Sequence, residues 1–340
     1  MLETIDYNIE IWLKEAENTH TCGKSLADSI YTTPVTILLS GEIGSGKTTF
    51  LNGFSEALGI QEDIPSPTFA LEHHHKTKSG APFLHIDLYR LSGKEAEAFV
   101  EQTGEFEGFR CIEWTQHLSR LPAGPTIAIS LEDTNRKQGH RLECTFHDVP
   151  LPGTARILAW REELELPHHI SAHCDTVADL AVEFGRHILK EGTIVRLNAL
   201  KVAGQLHDLL RFVDFPVEGS AQSDSPTEPA IWERVREQYS GLHHEGACAA
   251  FLRKNGFAAC ADIVEVHGLS LPPNERRTIE QKLLYYADKR VSHENVVSLE
   301  ERFAEFTERY KGRAYMADAD IWFGQAKELE KELFGKRPPR

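Results

Sequence analysis

The chain has 340 residues, 41% of them hydrophobic, enough for two domains that each bury a core. Its 52 acidic residues outnumber its 37 basic ones, for a formal charge of −15, which argues against a broad phosphate-tracking surface acting alone. The cysteines (Cys22, Cys111, Cys144, Cys174, Cys248 and Cys260) form no CxxC pair and no disulfide framework, so reduced thiols and a cytoplasmic location are expected. Neither a signal peptide nor a membrane-spanning helix is expected, because no basic stretch precedes an apolar one and no apolar run approaches ~18 residues.

Residues 8–31 read as a helix, carried by Ile9, Ile11, Trp12, Leu13 and Leu26. Residues 35–39 (VTILL) form a short β-rich apolar run that ends in a glycine-rich loop, the pattern of a buried strand. Phe50, Leu51, Phe54 and Leu58 then recur at helical spacing, with Gly59 placed to end the helix. Residues 83–87 and 110–114 are two further strands, and 126–131 with 141–146 flank a polar hairpin. This half is α/β. The run His73, His74, His75, followed by Lys76, Lys78 and Gly80, lies in a hairpin-like stretch and is expected as a solvated loop.

The pattern breaks at Pro150, Pro152 and Gly153, and from Ser171 onward the text is helical. Apolar residues recur through Val177, Leu180, Ala181, Phe184 and Ile188, then through Leu197, Leu200, Ala203, Leu206 and Leu210. Further helices are expected at 244–255, 258–266, 275–291 and 298–311, with a Ser/Pro/acid loop at 214–230. The second half is predicted to be all-α.

The loop GEIGSGKT over 41–48 is a complete G-x-x-x-x-G-K-[ST] between a predicted strand and a predicted helix, the context that gives the motif its meaning. Gly41, Gly44, Ser45 and Gly46 let successive N–H groups face phosphate oxygens, and Thr49 opens the helix behind them. Lys47 would neutralise the β- and γ-phosphates of ATP, and the Thr48 hydroxyl would ligate Mg²⁺. Asp87 and Glu113 each end an apolar run, so either carboxylate can serve the metal.

These motifs carry a resemblance. GEIGSGKTTF at 41–50, SPTF at 66–69, HIDLYRL at 85–91 and CIEW at 111–114 resemble the TsaE family, the ATPases of bacterial threonylcarbamoyladenosine (t6A) tRNA modification, in the family's order and approximate spacing. The resemblance covers about the first 148 residues. It implies that Thr48 and Glu113 bind Mg²⁺, that Asp87 supports hydrolysis, and that Thr68 lies in a loop sensing nucleotide. It also implies that Thr21 and Cys22 approach the adenine. Implied partners are TsaB- and TsaD-like proteins, which would hold the tRNA.

The second half carries His173, His207-Asp208, His244, His267 and Asp288 on predicted helices or their ends. Imidazole and carboxylate together suit Fe, Mn, Zn, Ni or Co rather than Ca²⁺. The order of these residues, from AHCDTVADLA at 172–181 to YYADKRV at 285–291, resembles the HD-domain phosphohydrolases over roughly 168–311. That resemblance implies a first metal site at His173, His207, Asp208 and Asp288, and a second metal using His244 and His267, with Asp208 acting in catalysis. His243 is the alternative to His244. Arg211 and Lys289 are candidate phosphate contacts.

The expected architecture is therefore an α/β P-loop NTPase domain (1–148), a linker (149–167), an all-α HD-type domain (168–311) and a helical tail (312–340). The expected function is bifunctional: Mg²⁺-dependent ATP hydrolysis for t6A formation, catalysed around Lys47, Asp87 and Glu113, and two-metal hydrolysis of a nucleotide or other phosphate ester. No membrane partner is expected. The competing readings are a small-molecule kinase, disfavoured by the lack of an Arg-rich lid in 60–130, and a nucleotide-sensing assembly factor with an inert helical half.

Overall fold

The computed structural model describes residues 8–62, 64–135, 139–215, 228–269, 271–309, 318–335 and 338–339. The chain divides into two compact units, one made of Thr4–Val149 with His187–Arg196, the other chiefly of Pro150–Arg186 with Leu197–Arg340.

The α/β unit begins with a strand, β1 (Asn8–Leu13), and not with the helix expected from residue 8. Ile9, Ile11 and Leu13 are buried while Asn8, Glu10 and Trp12 are exposed, a two-residue period that belongs to a strand. Helix α1 (Ala16–Ala27) starts only after a capping box between Glu15 and Asn18. There follow β2 (Val35–Ser40), α2 (Lys47–Ala57), β3 (Glu72–Lys76), β4 (Pro82–Asp87), α3 (Lys94–Gln102), β5 (Phe109–Glu113), β6 (Thr126–Asn135) and β7 (Gly139–Phe146). The strands form one sheet in the order β1-β7-β6-β2-β5-β4-β3.

Strand β2 runs parallel to both β5 and β6, and β4 runs parallel to β5. The remaining pairs are antiparallel. Val35 through Leu39 are all buried, which is why this central strand reads as an unbroken apolar run. The carboxyl ends of β2, β4 and β5 share one border of the sheet, so the glycine-rich loop, Asp87 and Glu113 gather there, with Asp87 and Glu113 opposite each other in register. The triple-histidine run is not a loop. It forms most of edge strand β3, where His73 faces His85 across the ladder.

Residues 187–196 complete this unit. Ile194 and Val195 are fully buried. The Ile194 N–H donates to Ser25 Oγ (2.9 Å), and Arg196 Nε donates to the Ser29 carbonyl (2.7 Å). The Arg196 guanidinium forks onto the Asp148 carboxylate at 2.6 and 2.8 Å, both side chains being buried.

The other unit is helical: α4 (Thr154–Glu163), α5 (His168–Lys190, its last residues counted with the α/β unit), α6 (Leu197–Leu206), α7 (Ala230–Gln238), α8 (His244–Lys254), α9 (Ala258–Glu265), α10 (Ile279–Asp288), α11 (Leu299–Arg309) and α12 (Ala319–Phe334). Helix α4 occupies the stretch expected as a linker. It buries Ile157 and Trp160, and Arg161 forks onto Asp175 at 2.9 and 2.8 Å. The all-α expectation is modified by one small hairpin of β8 (Val291–Ser292) and β9 (Asn295–Val296). Of the expected 214–230 loop, residues 216–227 lie outside those described. Among the described residues no helix is long and apolar enough to cross a membrane. All six cysteines are buried and free.

Candidate functional site

The phosphate loop links β2 to α2 with Gly41, Gly44 and Gly46 at φ of 141°, 81° and 101°. Only glycine holds such angles without strain. At Gly41 a Cβ would stand 2.3 Å from the Leu131 carbonyl oxygen, so the loop lies against β6 with no room for a side chain. Lys47 folds back over its own loop, donating to the carbonyls of Gly41 (2.8 Å) and Glu42 (2.9 Å), with its Nζ 3.9 Å from the centre of the Trp114 ring. Burial pulls its pKa down, against the opposing pull of Glu113, Asp87 and Glu42. Ser45 is 1% exposed and its Oγ has no hydrogen-bond partner among the described residues. A buried hydroxyl without a partner, beside a curled glycine backbone and a helix N-terminus, fits a nucleotide phosphate. Thr49 follows in the first turn of α2.

The two acids take different partners. Thr48 Oγ1 donates to the Glu113 carboxylate at 3.1 and 3.2 Å, the pairing that suits one divalent cation held by both. The Asp87 carboxylate accepts from Ser66 Oγ and Thr68 Oγ1 (2.8 Å) through one oxygen and from the Tyr89 N–H (2.8 Å) through the other. Asp87 therefore ties down the loop at 66–69. Cys22 is fully buried and burial pushes its thiol up to about 12, so this side chain faces the core and not a ligand. From α1 it is Thr19 that meets Gly46 of the phosphate loop, its methyl 3.2 Å from where a Gly46 Cβ would be. Sequence reasoning gave no role to His85, Ser66 or Trp114. The period-two spacing of His85 and Asp87 on one strand was a usable signal for the first.

In the helical unit His173 comes from α5, His244 from the first residue of α8, and Asp288 from the last residue of α10. His207 and Asp208 stand in the turn just after α6, so it is that turn that places them. His267 follows α9. The structure brings all six together. His173 Nε2 lies 3.2 Å from Asp288 Oδ1, and His207 Nε2 lies 3.7 Å from the same oxygen and 3.8 Å from Asp208 Oδ2. Asp208 Oδ1 is 3.1 Å from His244 Nε2 and 3.6 Å from His267 Nε2. Donor atoms of His173, His207 and Asp208 converge within 4.8 Å, as do those of Asp208, His244 and His267. Asp208 belongs to both groups.

The outer nitrogens of these rings are already engaged. Nδ1 of His173, His207 and His267 faces the backbone carbonyls of His293 (2.9 Å), Gly204 (2.8 Å) and Val264 (2.6 Å). His244 Nδ1 faces Asp214 Oδ2 at 2.5 Å. Each bond fixes the ring and turns Nε2 inward, the arrangement that metal-ligating histidines use. Nε2 of buried His207 has no hydrogen-bond partner. The donor set fits borderline transition metals.

Burial opposes charge on His207 and His244, yet Asp208 holds both imidazoles above the usual histidine range, assisted by Asp288 at His207 and by Asp214 at His244. Burial lowers His267. Burial would raise both aspartates, but His207, Arg211 and His244 hold Asp208, and Lys289, His173 and His207 hold Asp288, well below the carboxylate range. Arg211 Nη1 lies 2.8 Å from the His244 ring nitrogens, and Lys289 pairs with Asp288. His243 is 89% exposed and, among the described residues, pairs with Asp214 at 3.4 Å.

The family model described as "Threonylcarbamoyl adenosine biosynthesis protein TsaE" matches residues 13–142. A "tRNA threonylcarbamoyladenosine biosynthesis protein TsaE" of Nostoc sp. is 34% identical over 157 residues, which cover 43% of this chain and 94% of that protein. One of Aquifex aeolicus is 30% identical over 131 residues, covering 38% and 92%. A crystal structure of Bacillus subtilis YdiB superposes at a TM-score of 0.33 with 21% identity, covering 47% of this chain and 96% of that one.

Proposed function

The chain belongs to the TsaE family through its N-terminal region, and from that premise we propose that it is a cytoplasmic, Mg²⁺-dependent ATPase supporting threonylcarbamoylation of tRNA adenosine, fused to a metal-dependent phosphohydrolase. The observation that carries the first activity is the pairing of Thr48 with Glu113 beside a phosphate loop whose buried Ser45 hydroxyl lacks a partner. Loop N–H groups and the α2 N-terminus bind the phosphates, with Lys47 as their cation. Thr48 and Glu113 hold Mg²⁺, which neutralises charge on the phosphate oxygens when bound. Asp87 sets the 66–69 loop through Ser66 and Thr68, so the loop is positioned to respond to nucleotide. The proposed partners are TsaB- and TsaD-like proteins, with tRNA held through them, in keeping with the acidic charge of this chain.

The second activity is carried by Asp208, which stands between two histidine groups whose Nε2 atoms converge. His173, His207, Asp208 and Asp288 would hold one transition-metal ion, and His244 and His267 a second one sharing Asp208. Such ions supply Lewis acidity for hydrolysis of a phosphate ester. The substrate class is a nucleotide or phosphodiester, with Arg211 and Lys289 at the cluster as cations for phosphate.

One experiment on the full chain tests both halves. Lys47→Ala abolishes ATP turnover and leaves both the metal content and phosphate-ester hydrolysis in place. Unchanged ATP turnover in this variant refutes the first reading. Wild-type protein purified without chelator that holds one ion or none, and hydrolyses no ester in a nucleotide and phosphodiester panel, refutes the second.

A further inference from the structure

His85 lies two residues before Asp87 on β4, so the two share a face of the strand. Its side chain is fully buried and its Nε2 lies 3.0 Å from Glu113 Oε1, on a carboxylate only 2% exposed. Among the described residues the Glu113 carboxylate accepts from only one other side chain, the Thr48 hydroxyl. That hydroxyl has a second duty in the proposed Mg²⁺ site, whereas His85 has none. Among the described residues its buried Nδ1 has no hydrogen-bond partner, so the polar function of the ring is directed at Glu113. A buried carboxylate that must keep its charge needs a fixed donor.

We infer that His85 is a positioning residue: its Nε2–H holds the Glu113 carboxylate against Thr48 and so sets the affinity of the site for its divalent cation. This rests on the reading of Thr48 and Glu113 as the Mg²⁺ pair. Glutamine places its amide nitrogen near the histidine Nε2 position, while asparagine stops at Nδ1 and loses the reach.

The test uses the full chain in an Asp208→Asn background, which removes the ions proposed for the helical unit, with Mn²⁺ in place of Mg²⁺; the Mn²⁺ uptake that depends on ADP is read by electron paramagnetic resonance of free Mn²⁺ against a protein-free ADP control. ADP affinity in EDTA reports whether each variant folds. His85→Asn weakens Mn²⁺ binding about 10–100-fold, the usual cost of losing a residue that orients a ligand. ADP affinity in EDTA stays unchanged, and His85→Gln recovers most of the Mn²⁺ affinity. Wild-type Mn²⁺ affinity in His85→Asn overturns the inference, as does an equal loss in both variants, which would assign the ring to packing. If the chain with His85 intact takes up no more Mn²⁺ with ADP than without it, the proposed nucleotide–metal site itself is refuted, and the role of His85 with it.

Discussion

A methyl group added at Gly41 meets backbone that cannot yield without moving the sheet. Its Cβ would stand 2.3 Å from the Leu131 carbonyl oxygen and 2.7 Å from Ser45 Oγ, so the loop must retreat from β6. Restoring ordinary contact takes a shift of about 1 Å. The φ of 141° adds backbone strain of about 1–3 kcal/mol for any residue with a side chain. Gly44, in the same loop, is the internal control. Its φ of 81° is also left-handed, but nothing lies within 4 Å of a Cβ there. Gly44→Ala is therefore expected to suffer only the conformational cost, about 1–2 kcal/mol of stability, and to keep its nucleotide affinity within about tenfold of the parent. Gly41→Ala suffers that cost and displaces the phosphate-facing N–H groups, and a misplacement of about 1 Å is worth roughly 100-fold or more in a preorganised site. Titrating a fluorescent ADP analogue into each full-length variant separates the two. Equal affinities for Gly41→Ala and Gly44→Ala would refute the packing argument, because the two substitutions differ chiefly in what surrounds the new methyl.

Asp208→Asn is expected to lose metal at both proposed positions, whereas His267→Ala keeps the position near His173 and loses most ester hydrolysis; elemental analysis after gel filtration gives the stoichiometry. Arg196→Met leaves the Asp148 carboxylate buried and unpaired, which costs about 3–5 kcal/mol of stability in the α/β unit, read by urea unfolding followed through bound-nucleotide fluorescence. In chelator-treated protein, the raised His207 and His244 contribute stability that is full below the unfolded value near 6.5 and lost as pH climbs through their folded values. The depressed Asp208 and Asp288 contribute stability that is lost only as pH falls well below the carboxylate range, while His267 opposes the other two histidines. The thermal stability of metal-free protein therefore falls above pH 6.5, and added metal, which needs neutral imidazoles, protects more as pH rises; a metal-free melting temperature that climbs from pH 6.5 to 8 contradicts this.

The phosphate loop was legible because its chemistry is local: eight consecutive residues fix the glycine angles, the lysine and the hydroxyl. Strand β2 was legible because burial on both faces leaves a continuous apolar run. The start of the chain misled, since Ile9, Ile11, Trp12 and Leu13 are dense enough to suggest a helix, and only the exposure of Trp12 (52%) distinguishes a strand period. Helix α3 was missed because just Ala96 and Val100 of its nine residues are buried, a weak stripe. Strand β3 was missed because three histidines have little β-propensity; its pairing with β4 holds it in the sheet. The six His and Asp positions of the helical unit could be named in order, but not the outer bonds that orient them. Those run to carbonyls of Gly204, Val264 and His293, and backbone acceptors carry no side-chain signature.

The return of residues 187–196 to the α/β unit means that this chain is not two beads on a string. A protein ending at Val149 would lack Ile194 and Val195 from its core, and its Asp148 carboxylate and Ser29 carbonyl would lose the guanidinium that binds them. Neither half can be excised by a single cut. A protease nicking between Val149 and α4 would sever one covalent connection and still leave the fragments bound through the 187–196 segment until denaturant released them.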